Sequence, residues 1–484
     1  MSSNKSAEAE KSQAEGRFRT LLRSSGRGQT HARRLGIARL RLVKAFGWNG
    51  VSKTTRGDGR LRDVFGSSAL RAAILPFAGL ASILSLRLVA ESSGSVGFGF
   101  FSIITSLPAL IPVSDFGISA VVTDNIAQHG IRSWQFRTAW RQTQRLLWLI
   151  AGFTALAGIA VGISGSWGLL LGVSDSGSVE AAATYVVVVM ALGIPLGAGQ
   201  RVLLGVGRQA LATGLLSASP VVSLGLTAAT FYLSPHSNFS LLAIAYSTGT
   251  ILTQLAVMVV AQRHIKRDGE QSHSRPRTTI AIGHTALPMA VIAITMPLTY
   301  QSDRVLLAHV SSSVTVAQYA LVAVLFFPLL SIIGFGQQPL WPLFMSVATD
   351  RNRLRHLYQR SMVGFVILGV ILGCGLALAG PAVSGFIDPH ARSPVGLYWA
   401  FAALLLMFAL NSPSGMLLMD TTGRRIQAAG SVLMLLSKLT LTLLWARPWG
   451  AEGAVWATLI SAMTFMVIPS LIVAGYRLRK LASE

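Results

Sequence analysis

The chain has 484 residues, 52% of them hydrophobic and only 12% charged, with a mean hydropathy of +0.56. Soluble domains carry about 25% charge, so a string of water-soluble domains is excluded and lipid is the expected solvent. The formal net charge of +23 does not point to nucleic acid, because Lys and Arg sit in short clusters between apolar runs and in one basic N-terminal segment.

The first 66 residues hold about fifteen Lys and Arg among Ser and Gly, with no run long enough to span a bilayer and no signal-peptide pattern. They read as a basic, disordered cytoplasmic tail near anionic headgroups. Within them, residues 35–48 could instead form a surface helix, and translation from a downstream start is a third reading. A hydrocarbon core about 30 Å thick needs roughly 20 apolar residues at 1.5 Å each. Such runs recur at 67–90, 98–122, 146–165, 181–203, 211–233, 240–262, 280–302, 316–336, 361–382, 395–418, 427–446 and 453–475. Because lipid cannot hydrogen-bond backbone groups, each run is predicted to be a helix, giving an all-α polytopic membrane protein of about twelve spans.

Charge sets the orientation. Arg132, Arg137, Arg141 and Arg145 follow span 2; Arg201 and Arg208 follow span 4; Arg263, Lys266, Arg267, Arg275 and Arg277 follow span 6. Arg351, Arg353, Arg355 and Arg360 follow span 8, Arg424 and Arg425 follow span 10, and Arg477, Arg479 and Lys480 close the chain. Roughly 35 of the 41 basic residues thus lie on one side, which the positive-inside rule makes the cytoplasm. Both termini are then cytoplasmic, in a bacterial inner membrane.

The polar linker 263–279 divides the spans into an N-terminal six-helix bundle, 67–262, and a C-terminal one, 280–476, followed by a cytoplasmic terminus, 477–484. A Leu pair leading to Gly-Arg recurs after the fourth span of each half, at Leu203–Arg208 and Leu417–Arg424, and suggests an internal duplication. The first span of each half carries proline, Pro76 in one and Pro288 and Pro297 in the other, which marks these spans as candidate hinges.

A charge at mid-bilayer costs about 2.5–3.5 kcal/mol on insertion scales, so one that is kept calls for a cavity or a partner. Arg71, Asp115, Asp303, Arg304 and Lys438 are the candidates, with Gln200, Gln254, His284, Gln301 and Asn411 as neutral polar positions. Arg71 could snorkel to headgroups, Asp303 and Arg304 could be an interfacial pair, and Asp115 could bend its helix beside Pro112 and Gly117. Lys438, about ten residues from either end of its span, is expected to face an aqueous lumen. Cys374 stands alone in the chain, so neither an intrachain disulfide nor a thiolate metal site can form. Histidines are scattered without zinc spacing, no phosphate loop ends in Lys-Ser or Lys-Thr, and the external loops offer only dispersed acids such as Glu91, Asp175 and Glu180. An enzyme is not expected.

The stretch Gly97–Ala127, with Asp115-Phe116-Gly117-Ile118-Ser119-Ala120, resembles the second span of polysaccharide flippases. These are the O-antigen and teichoic-acid exporters of the multidrug/oligosaccharidyl-lipid/polysaccharide (MOP) superfamily. Asp303-Arg304-Val305-Leu306-Leu307, followed by Val316-Ala317-Gln318-Tyr319-Ala320, is similar to the family's second motif, with Ala317 in place of its usual glycine. The resemblance covers residues 67–480, and the basic tail departs from it. It implies two six-helix bundles related by pseudo-twofold symmetry, V-shaped around a central cavity. Its implied activity is alternating-access transfer of a polyprenyl-diphosphate-linked oligosaccharide to the outer leaflet.

Arg71, Lys438 and Arg304 would meet the diphosphate, and Asp115 could exchange protons or sodium. Outward movement of about two negative charges would also gain roughly 4–5 kcal/mol per 100 mV of membrane potential. No cofactor or metal is expected. The expected partners are the lipid-linked oligosaccharide, membrane lipids, and the polymerase and glycosyltransferases of polysaccharide assembly. A lipid II flippase or a cation-coupled drug exporter is the alternative within the superfamily, and a membrane glycosyltransferase the alternative outside it.

Overall fold

The computed structural model describes the backbone of residues 58–110, 122–123, 125–126, 130–173, 176–234, 238–267, 283–338, 340–347, 350–390 and 392–480, with most side chains from Phe77 onward. The chain divides into two compact units, Met1–Arg62 and Asp63–Glu484. Of the first, only the helical backbone from Asp58 is described, so the basic tail and its segment 35–48 lie outside the described residues.

Every described element is helical. In chain order they are α1 (Asp58–Leu110), α2 (Trp134–Ile163), α3 (Trp167–Leu171), α4 (Ser176–Gly205), α5 (Gln209–Ser217), α6 (Ser219–Leu233) and α7 (Phe239–Arg267). Then follow α8 (Gly283–Val310), α9 (Ser313–Gln337), α10 (Leu340–Ser346), α11 (Arg351–Ile387), α12 (Val395–Leu417), α13 (Thr421–Ala462), a π-helical turn at Met463–Val467, and α14 (Ile468–Lys480).

Among the described residues, nine stretches are long and apolar enough to cross a membrane. Two of them, Phe77–Pro108 and Thr422–Arg479, each join two helical limbs at a non-helical glycine, Gly94 (φ 64°) or Gly450 (φ 56°). Positive φ is cheap only without a Cβ, so glycine is where the chain can reverse. Counting those limbs separately and adding the 28-residue α8 gives the twelve spans expected. α8 itself stays helical through Pro288 and Pro297, so the marked departures from helical backbone fall at glycines rather than at these prolines.

The faces of the helices are those of lipid-embedded packing. α2 buries Phe136, Ala139, Thr143, Leu147, Ala151, Thr154 and Gly158. Its opposite face shows Leu149, Phe153, Leu156 and Ile163, each more than two-thirds exposed. Small and hydroxylated residues let backbones approach, while bulky apolar ones face the tails. In α11, a Cβ on Gly369 would lie 2.7 Å from Ala409 Cβ, and one on Gly373 would lie 3.1 Å from the Ala402 carbonyl of α12. The same pairings occur in both halves: the third span packs on the fourth (α2 on α4, α11 on α12) and the fourth on the sixth (α4 on α7, α12 on α14).

The two Leu–Gly-Arg segments differ in structure. Gly207 has φ 76°, and Arg208 N–H reaches back to the Leu203 carbonyl, closing α4 in a left-handed cap. Gly423 and Arg424 instead lie in the first turn of α13, behind the N-cap Asp420, which accepts from Gly423 N–H at 3.2 Å. The expected second Gly-Arg turn is therefore a helix start: an acid in the cap position favours helix over a turn. Arg477 near the end of α14 grips both Asp420 oxygens, at 2.5 and 2.9 Å, and holds that carboxyl below its ordinary pKa.

Substituting Gly369→Leu should separate α11 from α12 and cost about 1–3 kcal/mol, read as a lower melting temperature of the detergent-solubilised protein. Gly364→Leu, where a Cβ would meet nothing within 4 Å, should leave it unchanged.

Candidate functional site

α8 and the first limb of α13 lie side by side and run the same way. Thr295 donates to Ser431 Oγ at 2.7 Å, and Lys438 Nζ donates to Ser302 Oγ at 2.6 Å. The two contacts are seven residues apart on both helices, the register of a parallel pair with a heptad seam. Parallel packing is what two odd-numbered spans require.

The next residue after Ser302 supplies the charge. Lys438 Nζ lies 2.5 Å from Asp303 Oδ1, and the two side chains are 0% and 3% exposed. The other carboxylate oxygen, Oδ2, accepts from Tyr319 of α9 at 2.9 Å and from Thr458, in the second limb of α13, at 3.4 Å. Asp303 therefore ties together four spans. A buried carboxylate is tolerated only when paired and hydrogen-bonded, and both of its oxygens are met.

Arg304 points to the other half of the molecule. Its Nη1 donates to the Ser102 carbonyl of α1 at 3.3 Å, and the guanidinium stands 5.9 Å from the Phe327 ring centre. Its Nε is buried without a hydrogen-bond partner among the described residues. Further contacts join the halves nearby. His309 of α8 lies 3.1 Å from the Leu169 carbonyl, and a Cβ on Gly172 would meet the Ala308 backbone. Gly99 abuts Ser313 and Ala317 at the start of α9. All of these lie at the end of the bundle remote from the Arg-rich helix ends, and one apolar core containing Phe98, Phe101, Leu307 and Val316 runs through the junction.

Of the residues singled out in the sequence, Asp303, Arg304 and Lys438 are thus brought together. They are not an exposed interfacial pair with a separate lumenal lysine. Lys438 is shut inside the C-terminal half and ion-paired, so a free ammonium facing water does not describe this conformation; the nearby Asp303 made desolvation tolerable. Asp115 lies outside the described residues, and for Arg71 and Pro76 only helical backbone is described. Gln254, Gln301 and Asn411 each keep a buried carbonyl oxygen without a hydrogen-bond partner among the described residues. Glu180 accepts from Trp167 N–H and Gly168 N–H, capping α3. Ser302, Thr458 and the Ser102 carbonyl were not foreseen. A hydroxyl in an apolar span carries no signal of its own, and a backbone acceptor carries none at all.

Asp303→Asn or Lys438→Met alone should each destabilise by about 3–5 kcal/mol, since each leaves one buried charge unpaired. The double variant should regain most of that loss, and additive losses in melting temperature would show that the two side chains do not interact.

No protein-family model matches the chain, and no curated protein matches its sequence. Solved structures do match its fold. An inward-facing multidrug resistance MATE family transporter of the MOP superfamily superposes with a TM-score of 0.59 at 13% identity, over 86% of this chain and 99% of its own. The lipid II flippase MurJ, in an inward closed conformation, gives 0.57 at 12% identity, over 85% and 90%. A MOP superfamily transporter from Pyrococcus furiosus gives 0.61 at 12% identity, over 89% and 100%. The chain has the fold of MOP superfamily transporters.

Proposed function

We propose that this protein is an inner-membrane transporter that moves a polyprenyl-diphosphate-linked oligosaccharide from the cytoplasmic to the outer leaflet by alternating access, for cell-surface polysaccharide assembly. The observation that carries the reading is the charge of the buried cluster. Asp303 is already balanced by Lys438, so among the described residues Arg304 is in excess, with one backbone acceptor and an Nε left without a partner. A buried guanidinium at the junction between the halves, without a carboxylate partner among the described residues, suits an anionic group, and a diphosphate matches its forked donors.

A cation-coupled drug exporter would call for a free acid in the same region, and among the described residues Asp303 there is paired with Lys438. The lipid II flippase among the similar structures is in keeping with a lipid-linked substrate. The contacts joining the halves at the end remote from the basic residues suit a state closed to the outside, with Arg304 part of the closure. Opening would separate Arg304 from the Ser102 carbonyl and free its donors. In this reading the termini are cytoplasmic, and either the membrane potential or ion exchange at Asp115 supplies the drive.

Deleting the gene should abolish surface polysaccharide and leave lipid-linked intermediate on the cytoplasmic face. Normal polysaccharide in a clean deletion without a paralogue would overturn the assignment. Arg304→Ala should lower export about tenfold or more at unchanged protein level, the loss of one charge-assisted contact, and Arg304→Lys should recover part of it.

A further inference from the structure

The turn between the two limbs of α13 builds a second site that the transport reading does not use. Pro448 and Gly450 end the first limb, and Gly453 lies so close to the Trp445 carbonyl that no Cβ fits there. Trp445 and Trp449, four residues apart, occupy one wall, with ring centres 5.4 Å apart. Glu452, Trp456 and Ile460, at the same spacing on the second limb, form the other. The groove between them holds about 480 Å³. It lies at the end of the bundle remote from the Arg-rich helix ends, and its rim is open, with Trp449 58%, Trp456 38% and Ile460 40% exposed.

The carboxylate is what makes this more than an aromatic belt. Glu452 is partly buried over Gly396, the second residue of α12, where a Cβ would stand 2.6 Å from Oε1. Among the described residues it has neither a hydrogen bond nor an ion pair, so a negative charge stands among three indoles with no cation to meet it. Indole faces attract organic cations, and a carboxylate beside them adds a counter-charge.

We propose that this groove binds the ammonium-bearing headgroup of a phospholipid in the outer leaflet, with the ammonium among the tryptophans at Glu452. Exposed Trp456 and Ile460 put one wall of the groove on the lipid-facing side of the second limb, which favours an ammonium carried on a lipid over a soluble amine.

The test is native mass spectrometry of the delipidated full-length protein, titrated separately with phosphatidylethanolamine, phosphatidylglycerol and tetramethylammonium. Phosphatidylethanolamine should bind about tenfold more tightly than phosphatidylglycerol. Glu452→Gln and Trp449→Ala should each remove most of that preference without changing the melting temperature. Equal binding of the two lipids, or a preference that survives Glu452→Gln, would overturn the proposal. So would binding of tetramethylammonium without any preference between the lipids. Should Glu452→Gln lower the melting temperature, the exposed Trp449→Ala variant alone decides the outcome.

Discussion

An ammonium and a carboxylate 2.5 Å apart, both sealed from water and lipid, set the terms for the C-terminal half of this protein. Neither charge could be kept in an apolar interior without the other, and together they fix how four spans meet. Lys438 brings the first limb of α13 against α8, while Tyr319 and Thr458 bring α9 and the second limb against the same carboxylate. Rotating any of these helices would leave a buried charge or hydroxyl unmatched, a cost of several kcal/mol that packing of small residues could not offset. Such a cluster specifies one arrangement of helices better than apolar packing alone.

The same cluster shapes the chemistry at the junction of the halves. Because Lys438 neutralises Asp303, the neighbouring Arg304 contributes its whole charge there, and it reaches across to a backbone carbonyl of α1. The structural role of one residue and the substrate-facing role proposed for its neighbour are therefore coupled. Removing the lysine would leave the buried charge of Asp303 uncompensated beside Arg304 and offset part of its positive field. The described hydroxyls along α8 and α13 continue the polar seam toward Thr295 and Ser431, so this interface is hydrophilic over one heptad yet carries charge at one level only.

Packing elsewhere follows the bilayer rather than water. Bulky apolar side chains of α2 face outward while Ala, Thr and Gly face inward, the reverse of a soluble helix. The helix pairs recur between the halves even where the local sequence does not: Gly207 ends a helix in a left-handed cap, whereas Gly423 lies just inside one begun by Asp420. Similar architecture thus rests on recurrent helix contacts, with different local chemistry at corresponding turns.

Hydropathy and the spacing of arginines were enough to place twelve spans and their alternating direction, because insertion into lipid depends on each segment's own composition and flanking charge. They also marked Asp303, Arg304 and Lys438, since a charge in an apolar run stands out wherever it points. What those charges meet was settled only by the tertiary structure. Ser302 and Lys438 are 136 residues apart, and their contact depends on the rotation and register of α8 against α13. Those are set by side-chain packing across the interface, which no single segment encodes. The same holds for the carboxylate ringed by tryptophans at the α13 turn: the four-residue spacings are visible in the chain, but only the reversal at Gly450 turns the two walls toward each other.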